Sequence, residues 1–327
     1  DTPLAKPTPR IIFGVFGDHI QVWAVNGSSI SSSATAIPQA ALTRAVQQFT
    51  KLCSTPDMSQ LKLIEQQSEK LYSLLFAPVS AVIDQADSVV IELDEPLASL
   101  AVEALKKPGG EYMGVAHSIS YSPGLFAEKL LRPLKPSTAA ETVFAVDASS
   151  SHGPNFLPGH DDLEATLRRI NPGAEILRST AATTASVKAE LPKSSAFYFF
   201  GHARPDSTGA ALEMGDGSLL HAIELQPALL AKSRIVVFAA CASGTAESGL
   251  MDSGSLVRAV LAAGVPSVVA SHWNVDSRTT STFMQSFYSH LETESPSEAL
   301  RLARKETRAL QPHPYFWAPF SLTGRAR

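Results

Sequence analysis

Two residues of this sequence stand where a thiol and an imidazole could work together. The apolar run 235–240 leads directly into Cys241, and the run 196–200 leads directly into Gly201-His202. A free thiol is only slightly ionised near neutral pH. A neighbouring imidazole can take its proton, and the resulting imidazolium stabilises the thiolate. Attack on a carbonyl then creates an oxyanion, which backbone N–H groups can hold. Cys241 opens the small-residue stretch Cys241-Ala242-Ser243-Gly244. That stretch can present its own N–H groups, Cys241 N–H first, and a turn expected after His202 can present that of Ala203. The ordinary reading of a cysteine beside an apolar strand is an inert core residue. Cys53, inside an amphipathic helical stretch, fits it. Cys241 does not, because the chain turns small and polar immediately after it.

The elements must bring these residues together. Near-continuous apolar runs are what strands look like when a parallel sheet is covered on both faces, and sites in such sheets lie at the carboxyl ends of the strands. The interval between the two runs is long enough for the crossover that parallel neighbours require. Residues 1–9 read as a Pro-rich tail, and 10–16 with 20–25 as a hairpin. Residues 27–35 read as a Ser-rich loop, 40–52 and 60–75 as helices, and 88–93 and 118–121 as strands. The stretch 131–140 carries two prolines and no periodicity, and reads as a linker. Beyond it strands (142–146, 174–177, 196–200, 235–239, 267–271, 320–323) alternate with helices (161–170, 184–191, a short one near 222–230, 255–263, 280–291, 297–310). The fold class expected is therefore α/β, a mostly parallel sheet flanked by helices. A first half (10–135) precedes a second half (136–327) that holds the chemistry.

Composition narrows the classes. The chain has 327 residues, 44% of them hydrophobic and 18% charged, enough to bury a sizeable core. With 27 basic and 31 acidic residues its net charge is −4, so it lacks the footprint of a nucleic-acid binder. No apolar run is long enough for a membrane span. Two cysteines make neither a disulfide framework nor a thiolate metal site, and the nine histidines show no metal-ligand spacing. No phosphate-binding glycine loop occurs, so no cofactor is expected. A reducing cytoplasm is the expected compartment. The start at Asp1, with no signal-peptide pattern, reads as an excised or processed domain.

Several segments then fall in a familiar order. SVVIELDEPLASLAVEAL, YMGVAHSISYSPGL and LPGHDDLEATLRRI precede AFYFFGHA, IVVFAACASG and VPSVVASHWNVDSRTTSTFMQSFYSHL, and SEALRLARKETRAL and YFWAPFSLTG follow. Together they resemble the CHAT domain, a relative of caspases and separases found at the C-terminus of many bacterial proteins. The resemblance covers nearly the whole chain. It implies a caspase-like fold with a degenerate caspase-like first half, and it matches His202 and Cys241 to the family's catalytic pair. Two positions depart from the family pattern: Ala203 replaces a glycine, and Ala242-Ser243-Gly244 replaces Glu-Thr-Gly. Both bear on substrate preference.

The expected activity is a cysteine endopeptidase that cleaves specific protein targets and is switched on by a regulatory or sensor protein or domain. The competing expectation is a catalytically silent interaction module on the same fold. Ser271, His272, Trp273, Asn274 and Asp276 are expected to line the cleft. Trp273 would form its wall, His272 would lie at its rim or in solvent, and an extended peptide would pair along this segment. Asp276, Asp252 and Asp206 are the acids that could read a basic residue before the cut, a preference that the resemblance to separases also implies. The loops 203–219 and 242–254 are expected to act as switch segments. His221 reads as a loop residue, and Trp317 with Phe320 as core.

Overall fold

The computed structural model describes residues 8–133, 141–149, 157–206, 209–240 and 255–326. Thirteen strands form among them: β1 (Arg10–Val15), β2 (His19–Asn26), β3 (Ser29–Ala36), β4 (Ser88–Glu92), β5 (Ser118–Tyr121), β6 (Val143–Asp147), β7 (Glu175–Arg178), β8 (Ala196–Asp206), β9 (Gly209–Glu213), β10 (Leu219–His221), β11 (Ile235–Ala240), β12 (Ser267–Ser271) and β13 (Phe320–Gly324). In the second half the order is β7-β6-β8-β11-β12-β13. Every neighbouring pair is parallel except β12 with β13. β13 then pairs in parallel with β5, and the sheet continues through β4, β1, β2 and β3. One mixed, mostly parallel sheet thus runs through both halves.

The strand sequences show why. Every residue of β11 and β12 is buried, as a strand with helices on both faces requires. Helices Ser277–Leu291 and Pro296–Leu310 cover one face with Phe283, Met284, Phe287, Leu300 and Ala303. Leu256, Val257, Val260 and Leu261 of helix Leu256–Ala262 pack on the other. β1 and β2 instead alternate buried with half-buried residues. Their core face meets Leu42, Val46 and Phe49 of helix Gln39–Cys53, and Ile64 and Leu71 of helix Leu61–Leu75. Cys53 is fully buried there, and burial pushes its thiol up, so it is inert as expected.

Three expectations change. Residues 27–35 are not a loop: β3 pairs with β2 over eight positions, turned by Gly27 at φ +60°. The two-residue turn is Gly27-Ser28, a hairpin signal hidden by a strand rich in serine. Residues 203–219 are largely strand, because β9 folds back antiparallel on the end of β8 and β10 on β9. The helix expected near 222–230 is a single 3-10 turn, Ala222–Glu224, and His221 ends β10.

Candidate active site

β8 and β11 are parallel neighbours in a register that ends with Ala240 opposite Gly201. The residue after Gly201 is His202, and the residue after Ala240 is Cys241. Cys241 lies outside the described residues, as do Asp252 and the stretch 242–254. β8 does not stop before His202. It runs on to Asp206, so His202 lies opposite Glu213, Ala203 opposite Leu212 and Asp206 opposite Gly209. Ala203 therefore belongs to a ladder and not to a turn. A ladder holds the His202 backbone more firmly than a turn would, since each paired residue fixes its neighbours. The His202 ring is half-buried, and its Nε2 is sealed from solvent with no hydrogen-bond partner among the described residues. Leaving such a group unpaired costs about 1–3 kcal/mol, and buried polar groups without a partner are uncommon enough to call for a reason.

The segment after β12 is placed differently from the expectation. Ser271 is buried, and its hydroxyl donates to the Ala240 carbonyl at 2.8 Å. The Ser271 side chain thus grips the residue that precedes Cys241. His272 is not at a rim: it is 8% exposed, and its backbone N–H donates to the Pro319 carbonyl at 2.7 Å. Its ring lies edge-on to Tyr121 at 5.9 Å. Trp273 is 3% exposed, packs in the core of the first half, and donates from Nε1 to the Tyr315 carbonyl at 3.2 Å. Both rings turn inward because β13 and the first half cover the side of the segment that was expected to face a cleft. Asn274 and Asp276 are exposed. Asp276 caps helix Ser277–Leu291, its Oδ1 accepting from Thr279 N–H at 2.8 Å and from the Thr279 hydroxyl at 2.9 Å. Trp317 and Phe320 are core, as expected.

Behind His272 stands a buried charged group that the sequence reading passed over. Glu103 accepts from Tyr121 Oη at 2.7 Å and from Arg304 Nη2 at 3.2 Å, and all three side chains are buried. Burial alone would push the Glu103 carboxyl up. The Arg304 guanidinium, and then His272, outweigh this and hold it below the usual carboxylate value. The signals were present. Glu103 interrupts the apolar stretch 100–105, and Arg304 shares the buried stripe of its helix with Leu300, Ala303 and Thr307.

Comparison with known proteins bears on the family and the fold. The CHAT domain profile matches residues 65–325. No sequence among the curated proteins matches. Among solved structures, the separase of the Saccharomyces cerevisiae separase–securin complex superposes with a TM-score of 0.69 at 9% identity, over 98% of this chain and 30% of that one. This chain therefore spans under a third of that separase chain. The Arg-specific cysteine proteinase gingipain R superposes with a TM-score of 0.53 at 10% identity, over 88% of this chain and 74% of that one. The same figures of 0.53 and 10% hold for the complex of the Porphyromonas gingivalis gingipain pro- and mature domains, over 88% and 76%. The fold is the caspase-like fold of these cysteine peptidases, and the chain belongs to the CHAT domain family.

Proposed function

We propose that the chain is a cysteine endopeptidase domain acting on specific protein targets, with Cys241 as nucleophile and His202 as its proton-transfer partner. The observation that carries this reading is the β8–β11 register together with the unpartnered Nε2 of His202. In that register β11 is described as far as Ala240, opposite Gly201, and Cys241 and His202 are the next residues of the two sequences, while the buried His202 Nε2 has no partner among the described residues. In the proposed reaction His202 takes the Cys241 proton and the thiolate adds to the scissile carbonyl. The backbone N–H groups of Cys241 and Ala203 hold the oxyanion. The C–N bond breaks as His202 returns the proton to the leaving amine. Water, deprotonated by His202, then hydrolyses the thioester and frees the thiol.

The peptide would lie extended beside the exposed Asn274, beyond β12, because the Trp273 ring is turned into the core and the His272 N–H is already bound to Pro319. A basic residue before the cut is the proposed preference, read by Asp276, Asp252 or Asp206, and gingipain R with the same fold is Arg-specific. A regulatory protein or domain is the proposed switch. The separase and gingipain structures pair the fold with securin and with a pro-domain. Among the described residues no helix is long and apolar enough to cross a membrane. A peptide-library cleavage assay tests the reading: wild type should cut a defined sequence class and Cys241→Ala none. Equal product from both proteins would overturn it.

A further inference from the structure

The fully buried charge pair between Glu103 and Arg304 lies where the two halves meet, and hydrogen bonds together with one strand pairing link it to Ala240, the residue before Cys241. Glu103 belongs to the first half, where the Val102 N–H donates to Tyr121 Oη at 3.0 Å and that hydroxyl donates to Glu103. Arg304 comes from helix Pro296–Leu310 of the second half. Its Nη2 donates both to Glu103 Oε1 and to the Phe320 carbonyl, the latter at 2.7 Å. Phe320 is the register partner of Ser271 across β13 and β12. The Ser271 hydroxyl in turn holds the Ala240 carbonyl. His272, next in the chain, keeps its Nε2 3.7 Å from Glu103 Oε2, within ion-pair reach though beyond a hydrogen bond.

This is a costly way to join two halves of a sheet. Arg304 Nε and Nη1 and His272 Nε2 are buried without partners. A buried ion pair seldom stabilises more than well-packed apolar residues of the same volume would. What such a pair supplies is a fixed geometry. Here that geometry ends on the residue before Cys241.

We propose that Glu103 is a positioning residue for the reaction of the second half: through Arg304 and Phe320 on one side and His272 on the other it fixes Ser271, and Ser271 fixes the carbonyl of Ala240, the residue before Cys241 in the chain. The first half thereby contributes to the site without touching substrate. The inference rests on the reading of Cys241 as the reactive thiol, and it is tested on that thiol directly, without a peptide substrate.

The experiment measures the rate of Cys241 alkylation by iodoacetamide at about pH 7, resolved from Cys53 by mass spectrometry, in the intact chain. Thermal unfolding is recorded beside it. The variants are Glu103→Gln, Ser271→Ala, the two combined, and Glu298→Gln. Glu298 also bridges the halves, through Ser118, but has no bond towards Ser271. Alkylation by a small free electrophile reports how far the thiol is ionised and how accessible it is, both set by where the surrounding structure holds it, so Glu103→Gln and Ser271→Ala should each change the rate about tenfold. Acting on one chain of contacts, the double variant should change it little more than either alone. Glu298→Gln should stay within about twofold of wild type, as a bridge outside that chain of contacts should. Unchanged alkylation in folded Glu103→Gln or in folded Ser271→Ala, or strictly multiplicative effects in the double variant, would overturn the proposal. Should Glu103→Gln not fold, Ser271→Ala decides alone. If alkylation responds as stated but no peptide is cut, the peptidase reading fails and the positioning role of Glu103 stands.

Discussion

The two halves of the sheet end their parallel strands in opposite ways. At the carboxyl ends of β4 and β5 the polar groups are closed on one another. Ser122 Oγ donates to Glu128 at 2.7 Å and to Glu92 at 3.0 Å, while Arg10 binds Glu92, Glu128 and Ser122. At the carboxyl ends of β8 and β11 the ladder instead delivers an imidazole whose Nε2 has no described partner. The same architecture thus yields one end where Ser122, Glu92, Glu128 and Arg10 bind one another and one where a buried imidazole nitrogen has no described partner. A buried unsatisfied nitrogen persists only where the surrounding structure fixes it, here the pairing of His202 with Glu213. The contrast marks the β8 strand end, next to the proposed nucleophile in sequence, as the place to test.

The largest effect should come from removing the open end. Cys241→Ala and His202→Ala should each lower peptide cleavage by about three orders of magnitude or more, leaving only the residual rate from binding and oxyanion contacts. Circular dichroism should show the fold intact. Near wild-type turnover in either variant would dissolve the contrast between the halves.

The junction comes next. Arg304→Met strands the Glu103 carboxylate in the core and should cost about 3–5 kcal/mol in urea unfolding. A loss under about 1 kcal/mol would mean that the pair is not buried in solution. The pH dependence of the same junction follows from the depressed Glu103 carboxyl. A group whose folded value lies below its unfolded one contributes stability that is fully present above the unfolded value and is lost as pH falls through the folded one. Wild type should therefore lose stability below about pH 4.5, the ordinary glutamate value, more steeply than Glu103→Gln. Parallel curves for the two proteins would contradict this.

Smaller effects separate the ends again. Ser122→Ala opens the closed network of the first half and should cost about 1 kcal/mol of stability with cleavage unchanged. Asp276→Ala removes the cap of helix Ser277–Leu291 and should cost about 1 kcal/mol as well. If Asp276 also reads a basic residue before the cut, fluorogenic peptides should show the ratio of Arg to Leu cleavage falling. A constant ratio would leave Asp276 as a cap only.

Much of this was legible in the sequence, and the exceptions share a cause. The apolar runs of β8, β11 and β12 announced buried parallel strands, and their ends announced His202 and Cys241. β3 was not visible, because a strand held by backbone pairing with few buried side chains leaves no apolar pattern, and β9 was not, because its buried run Ala210-Ala211-Leu212 is short and made mostly of alanine. His272 and Trp273 were read as lining a cleft because their types suit one. Their burial depends on the first half lying over them, a contact between residues far apart in sequence. Glu103 escaped for the same reason: its partner Arg304 is 201 residues away. Local patterning shows which strands are buried and which residues follow them, and long-range packing decides what holds those ends in place.

The most direct test of the central claim is covalent labelling by a peptidyl acyloxymethyl ketone, an electrophile that demands both a bound peptide and an activated thiol. The labelled residue is mapped by mass spectrometry in wild type and in His202→Ala. The account predicts one label per chain at Cys241, and a rate lower by about three orders of magnitude when the imidazole is gone. Equal labelling rates in the two proteins, or labelling confined to another residue, would contradict it.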